Sequence, residues 1–297
     1  MLLQVKPLSK REHKDWDALV ERSPQGTIFS TSRWLKLFDR DFWIYGVYDE
    51  GDRLQGGMVF FDSETSCHSG GVITQFQGIL VDNVTMKPVK LLSHTINITE
   101  TIIESLEEYK HIEICNHYNL TDIRPFIWNK FKQEVRYTSV IDLSDLSAVW
   151  KNMDKDTRNQ INLAEKSNLT IKINRGYTDF DRLYAQTFER KGLERTASAQ
   201  LITKLFKYID NFLYMVYKDG QPLAGVIIIW DEKRAYYILG ASATNDYGAS
   251  YMALWSAFSH ISEFRNEIDL VGVNNPWISM FKLSFGGDIK PYYVVRR

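Results

Sequence analysis

The stretch IDLVGVNNPWISMFKLSFGG, residues 268–287, gathers several side chains whose chemistry goes beyond packing. Lys282 lies between Phe281 and Phe285, close behind a segment that carries Asp269. A positioned ammonium can neutralise a phosphate or the charge that grows on a carbonyl under attack. Asp269 can take an amine's proton, directly or through water. Each has a plainer role: a solvent-facing lysine on a short amphipathic helix, and an aspartate that caps the next loop by accepting from the N–H groups of VGVNN. Asn274 and Asn275 offer paired donors and acceptors suited to a sugar or peptide, although Asn-Asn-Pro is also ordinary turn chemistry. Upstream, Asn245–Asp246–Tyr247–Gly248–Ala249–Ser250 opens a helical stretch. Free N–H groups at a helix start attract anions, so Asn245, Tyr247, Gly248, Ala249 and Ser250 form a candidate phosphate cradle. An ordinary Gly-containing cap gives the same pattern, and Asp246 puts a negative charge where the phosphate would dock. Arg158, near another helix start, can bind a phosphate or pair with Asp154 four residues back.

Other chemistries find little support. The six histidines (His13, His68, His94, His111, His117, His260) are dispersed, without HxxxH or CxxC spacing, so no metal is expected. Cys67 and Cys115 are too few for a disulfide framework, and Cys115 with His117 two residues on is not by itself a catalytic pair. A net charge of −1 and a pI of about 6.6 give no global pull towards DNA or anionic lipid. No apolar run suits a signal peptide or a membrane span, so a cytoplasmic location without an integral membrane segment is expected. With 297 residues, 44% hydrophobic and 25% charged, the chain can bury a core and suggests two domains.

The elements that must position these residues come as a repeat. IYGVYDEGDRLQGGMVFF (44–61) aligns without a gap to LYMVYKDGQPLAGVIIIW (213–230), sharing Tyr45/Tyr214, Val47/Val216, Tyr48/Tyr217, Gly51/Gly220, Leu54/Leu223 and Gly56/Gly225. Both are β-rich arms around a polar, Gly-containing turn, which predicts hairpins. Each is followed by a helix, a strand (HIEIC, EIDLVGV), a short aromatic-lysine segment (FIWNKFK, WISMFKLSFGG) and a closing strand. Between the halves, a helix capped by Asp154 or Asp156, the strand LTIKI and helices at about 179–192 and 198–210 complete an α/β pattern.

This order resembles the GNAT acyltransferase fold. Two such domains in tandem resemble the Fem family of peptidoglycan-bridge aminoacyltransferases and related bacterial proteins of envelope polysaccharide biosynthesis. TIFSTSRWLKLF (27–38), VWKNMDKDTRNQINLAEKSNLTI, GASYMALWSAF and the closing IDLVGVN…MFKLSFGG carry the resemblance, in order and over most of the chain. The usual GNAT loop, Gln/Arg-x-x-Gly-x-Gly/Ala, is matched cleanly only at Gly248; the long coiled-coil arm of many bridge ligases is missing.

The resemblance implies an α/β (α+β) fold of tandem GNAT-like domains, each a mostly antiparallel mixed sheet flanked by helices. Residues 1–145 are then a degenerate copy serving as acceptor platform, and residues 146–297 the acyltransferase domain. It implies an enzyme that transfers an acyl group to an amine, of an amino sugar or peptide, on a cell-envelope glycan precursor. No cofactor is held permanently. Acyl-CoA is the favoured co-substrate, with a Fem-like aminoacyl-tRNA donor and a non-catalytic binding protein on a decayed scaffold as alternatives. The donor would insert where the central strands splay near Tyr237–Ala241, which adds Tyr237 to Lys282 and Asp269 as catalytic candidates; a Tyr237 that merely packs a strand on helices is the alternative. Trp34 and Lys36 match the opening motif and suit a nucleotide-linked sugar acceptor, beside Arg158, Asn274 and Asn275, with Trp34 as a core residue the other reading.

Overall fold

The computed structural model describes residues 2–63, 65–71, 73–83, 85–244 and 246–297. Two compact units divide them: unit 1 holds Met1–Arg136 and Pro291–Arg297, unit 2 holds Tyr137–Lys290. The division falls at 136/137 instead of 145/146, and the last strand returns to unit 1.

Unit 1 runs β1 (Gln4–Pro7), α1 (His13–Arg22), α2 (Ser32–Leu35), β2 (Phe42–Tyr48), β3 (Leu54–Ser63), β4 (Ser66–His68), β5 (Leu80–Val81), α3 (Pro88–Ser105), β6 (His111–Cys115), α4 (Arg124–Trp128) and the start of β7 (Lys132–Asp142). Unit 2 takes the rest of β7, then α5 (Leu146–Asn152), α6 (Lys155–Lys166), β8 (Thr170–Ile173), α7 (Tyr177–Glu189), α8 (Ala199–Tyr208), β9 (Asn211–Lys218), β10 (Gln221–Trp230), β11 (Ala235–Ser242), α9 (Ala249–Ile261), β12 (Glu267–Asp269) and α10 (Pro276–Leu283). β13 (Asp288–Arg296) closes the chain, and its residues from Pro291 belong to unit 1.

The strand orders match step by step: β1-β2-β3-β4-β6-β13 in unit 1 and β8-β9-β10-β11-β12-β7 in unit 2. In both, the fourth and fifth strands are parallel and the pairings either side of them antiparallel. The two similar hairpins, β2–β3 and β9–β10, thus occupy equivalent places. Their registers differ by one residue, since Tyr45 faces Met58 while Tyr214 faces Val226. The turns explain this. Asp219 and Gly220, at φ 49° and 80°, make a tight two-residue turn. The first turn is longer and is held by Asp49, whose carboxylate accepts from the N–H groups of Gly51 and Arg53.

β10 is buried along almost its whole length, because α9 and α7 both pack on it. Gly225 faces α7, where a Cβ would meet Phe180 at 2.7 Å, while Val226 and Ile228 join the cluster of Ala253, Leu254 and Phe258 from α9. A central strand covered on both faces reads as a continuous apolar run, and VIII (226–229) is that run. Unit 1 has its own cores, one around Phe60, Ile98, Ile114 and Val295 and a smaller one around Trp16 and Leu19.

Candidate active site

In unit 2 the sheet opens. β11 and β12 pair only at Ala235↔Ile268 and Tyr236↔Asp269. Beyond that point β11 stays with β10 as far as Ser242, while the chain after β12 follows β7, with Leu270 N–H donating to Ser139 O and Val273 N–H to Tyr137 O. A register shift in the β10–β11 ladder leaves Ile238 unmatched at the mouth of the opening, and such bulges re-aim a strand. The gap holds a cavity of about 510 Å³, walled by Tyr237–Ser242 of β11, Tyr184, Thr187 and Phe188 of α7, Ser250, and Trp277, Ile278, Phe281 and Lys282 of α10. Ala243 N–H donates inward to Leu223 O of β10, whereas Ser242 N–H donates outward to the Thr187 hydroxyl. Alternation along the strand therefore turns the Gly240 N–H outward too, on the edge lining the cavity. A Cβ at Gly240 would lie 2.0 Å from the Tyr237 hydroxyl, so any larger residue there would force the tyrosine to move.

Lys282 and Tyr237 are brought together there. The Lys282 ammonium lies 5.2 Å from the Tyr237 ring centroid and donates to Val271 O (2.6 Å) and Gly272 O (3.2 Å). Those carbonyls converge because both residues are left-handed, Val271 at φ 47° and Gly272 at φ 70°. For a β-branched valine this is a strained conformation of the kind found at functional sites. Asp269 holds it in place: its Oδ1 accepts from Val271 N–H (2.8 Å) and from the Thr138 hydroxyl. Asp269 is fully buried and does not line the cavity. Of the two roles read from the sequence, the loop cap is the one its contacts match, and burial keeps it from reaching an amine directly. Burial pushes its carboxyl up to about 6, against the pull of Thr138 and Val271, and its Oδ2 has no hydrogen-bond partner among the described residues. Burial lowers Lys282 to about 8, opposed by the charge of Asp269. The Tyr237 hydroxyl is raised well above its ordinary range by burial and stays neutral.

The helix start is occupied. Gly248 caps α9 at φ 79°, where a Cβ would meet Gln160 O of α6 at 2.2 Å. The Asp246 carboxylate accepts from Gly248 N–H (3.1 Å), Ser250 N–H (3.2 Å) and the Ser250 hydroxyl (2.6 Å), so the donors expected to meet a phosphate already hold a carboxylate. Ala249 is buried and its N–H donates to Asp246 O. Tyr247 is exposed, with the Lys218 ammonium 3.8 Å from its ring centroid. Asn245 lies outside the described residues.

The remaining candidates fall into structural duty or away from the cavity. The Arg158 guanidinium donates to the carbonyls of Trp150, Lys151 and Met153 and so caps the end of α5, instead of a phosphate or Asp154. Asn274 clamps β7, its Oδ1 accepting from Tyr137 N–H and its Nδ2 donating to Tyr137 O. Asn275 caps α10 through Trp277 N–H and also lines the cavity. In unit 1, Trp34 is fully buried against Phe29 and Phe38, its indole N–H on the Thr74 hydroxyl, which makes it core and removes it from any acceptor. Lys36 is exposed at the end of α2. There β4 is three residues long, and the Ser69 hydroxyl accepts Cys115 N–H where the strands would part. The α7 wall was not anticipated from sequence: Tyr184, Thr187 and Phe188 there look like any apolar helical stripe.

Residues 151–277 match the model of an acetyltransferase (GNAT) domain, a span that includes β11, the α9 loop and Asp269 and stops short of Lys282. No curated protein matches the sequence. Among solved structures, the chain resembles FemX with a TM-score of 0.71 at 14% identity, covering 98% of this chain and 96% of that one. The C-terminal domain of a putative lysylphosphatidylglycerol synthetase from Agrobacterium fabrum follows at 0.62 and 11%, covering 94% and 92%. A tandem GNAT protein from the clavulanic acid biosynthesis pathway superposes at 0.56 and 10%, covering 99% and 98%. Residues 151–277 thus match a GNAT domain model, and the chain as a whole shares its fold with FemX.

Proposed function

We propose that unit 2 is an N-acyltransferase whose acceptor is a primary amine on an amino sugar or peptide of an envelope glycan precursor. The observation that carries the reaction type is the buried Lys282 ammonium, fixed on Val271 O and Gly272 O at the inner wall of the β11–β12 opening. The neutral amine attacks the acyl carbonyl in that opening. The C–N bond forms, the carbonyl oxygen takes up negative charge, and the bond to the leaving group then breaks. The Gly240 N–H and the Lys282 ammonium are the groups available to meet that charge, preorganised and shielded from water. The neutral Tyr237 hydroxyl suits protonation of the departing group, and the proton lost by the amine restores it.

The acceptor class rests on the likeness to FemX, which is a likeness of fold. Acyl-CoA, the donor favoured from the sequence, fits poorly. A pyrophosphate at the α9 start would have to displace Asp246 from the N–H groups of Gly248 and Ser250 and overcome its charge. The same contacts favour a donor without that pyrophosphate, such as an acyl ester or a thioester on another carrier.

Short N-acetylcysteamine thioesters supply an acyl donor with no phosphate at all. Incubated with the protein and a panel of amino sugars and peptide amines, they should release thiol in an amine-dependent manner. Removal of one preorganised charge donor typically costs about a hundredfold or more, so Lys282→Ala should lose turnover to that extent while keeping its far-ultraviolet spectrum. Equal rates in the two proteins would sink the reading.

A further inference from the structure

The cavity carries a charge asymmetry. Its charged lining residues among those described are Lys191 and Lys282; no carboxylate lines it. Two carboxylates beside the lining, Asp246 and Asp269, are turned to other work. Asp246 faces the N–H groups of Gly248 and Ser250, and Asp269 is sealed behind Val271 and Thr138. The polar groups on the α7 side are likewise satisfied within the wall. The Tyr184 hydroxyl bonds Thr196 at 2.6 Å, and Thr187 and Arg190 close on the backbone of Ser242. Besides Lys191, Lys282, Asn275 and the backbone of Gly240, the side chains lining the space include aromatic and aliphatic ones: Phe188, Leu193, Tyr237, Ile278 and Phe281.

We infer that the acyl group transferred here is uncharged and apolar, an aliphatic or aryl chain, and not an aminoacyl group bearing a free ammonium. This rests on the acyl-transfer reading of the same cavity. An ammonium carried on the acyl chain, unlike the acceptor amine, which sheds its proton to react, would find no carboxylate among the lining residues and would share the space with the ammonium of Lys282. Burial of an unpaired charge is among the least favourable events a binding site can impose, whereas apolar surface gains from leaving water. The cavity therefore selects between two donors that share one ester or thioester chemistry, and it does so by the side chain of the acyl group.

Two near-isosteric probes separate the possibilities: the heptanoyl and 6-aminohexanoyl thioesters of N-acetylcysteamine, titrated calorimetrically into the full chain. Heptanoyl should bind roughly a hundredfold more tightly, the scale on which a site rejects a polar group it cannot pair. Ile278→Glu, at a half-exposed position on the cavity lip, places a carboxylate there and should narrow or reverse the preference. Equal affinities, the opposite order, or no binding of either thioester would overturn the inference. Binding is read without turnover, so failure of the acyl-transfer reading looks different: the preference for heptanoyl persists while no amine releases thiol.

Discussion

At the scale of single residues, the site depends on a relay of contacts more than on any one group. Thr138 and Val271 N–H hold Asp269, Asp269 holds the left-handed turn at Val271–Gly272, and that turn presents two carbonyls to Lys282. Two carbonyls are weaker partners than a carboxylate, so burial decides the outcome and the lysine sits near 8. If the ammonium is the working form, turnover falls as pH rises through about 8, well below the 10.5 of an ordinary lysine. Tyr237→Phe should leave that limb in place, because the tyrosine titrates far higher. A pH–rate profile of the wild type and this variant checks both statements; a flat profile to pH 10 would remove Lys282 from the reaction. The relay also marks what was legible beforehand. Lys282 and Asp269 stand out by type and spacing, but the strained Val271 does not, since a valine in a strand-like sequence gives no sign of positive φ. Arg158 and Asn274 show the converse, residues apt for a ligand that the backbone claims first.

At the scale of elements, α9 shows how one side chain decides what a loop can do. Its start keeps the glycine cap and close packing on α6 that let a loop approach an anion, yet Asp246 supplies the anion from within the chain. The helix dipole and N–H groups favour negative charge there, whichever molecule brings it. Asp246→Ala should free the Gly248 and Ser250 N–H groups, so coenzyme A and inorganic pyrophosphate should give no heat with the wild type and bind the variant measurably. The lost cap should cost about 1 kcal/mol of stability, read by urea unfolding. Unchanged silence would mean that more than this carboxylate keeps phosphates out. The hairpins and α9 were readable because turn glycines and an apolar helical stripe are local signals, whereas the opening beside Tyr237 followed only from the resemblance. The α7 wall was not, because a helix face towards a cavity and one towards a core are spelled with the same residues. The single-step difference between hairpin registers escaped a gapless comparison because it arises in the turns.

At the scale of the whole chain, the two units repeat one strand order but divide their final strands unexpectedly. The strand beside β12 is β7, which leaves the first half of the chain to enter unit 2, and the strand beside β6 is β13, the last of the chain. A boundary drawn from the repeated order of elements falls after β7 because no local signal distinguishes a strand that stays from one that moves on. The consequence for stability is concrete. β13 pairs Val294 with Cys115 and Val295 with Ile114, and it buries Tyr292, Val294 and Val295 in unit 1. Arg296 bridges Glu113 and Glu134 at the same edge. Burial contributes roughly 1.5–3 kcal/mol for each such side chain, so truncation after Lys290 removes several kcal/mol from unit 1 and leaves β6 with a bare edge. Cys115 reports on this directly, since burial raises its thiol to about 11 and shields it from reagents. A disulfide reagent should therefore leave the intact protein unlabelled over minutes and label Cys115 rapidly in the truncated one, as mass spectrometry of the peptides would show. Slow labelling of both would mean that unit 1 keeps its core without its last strand, and that the exchange of strands between the halves is connectivity without energetic weight.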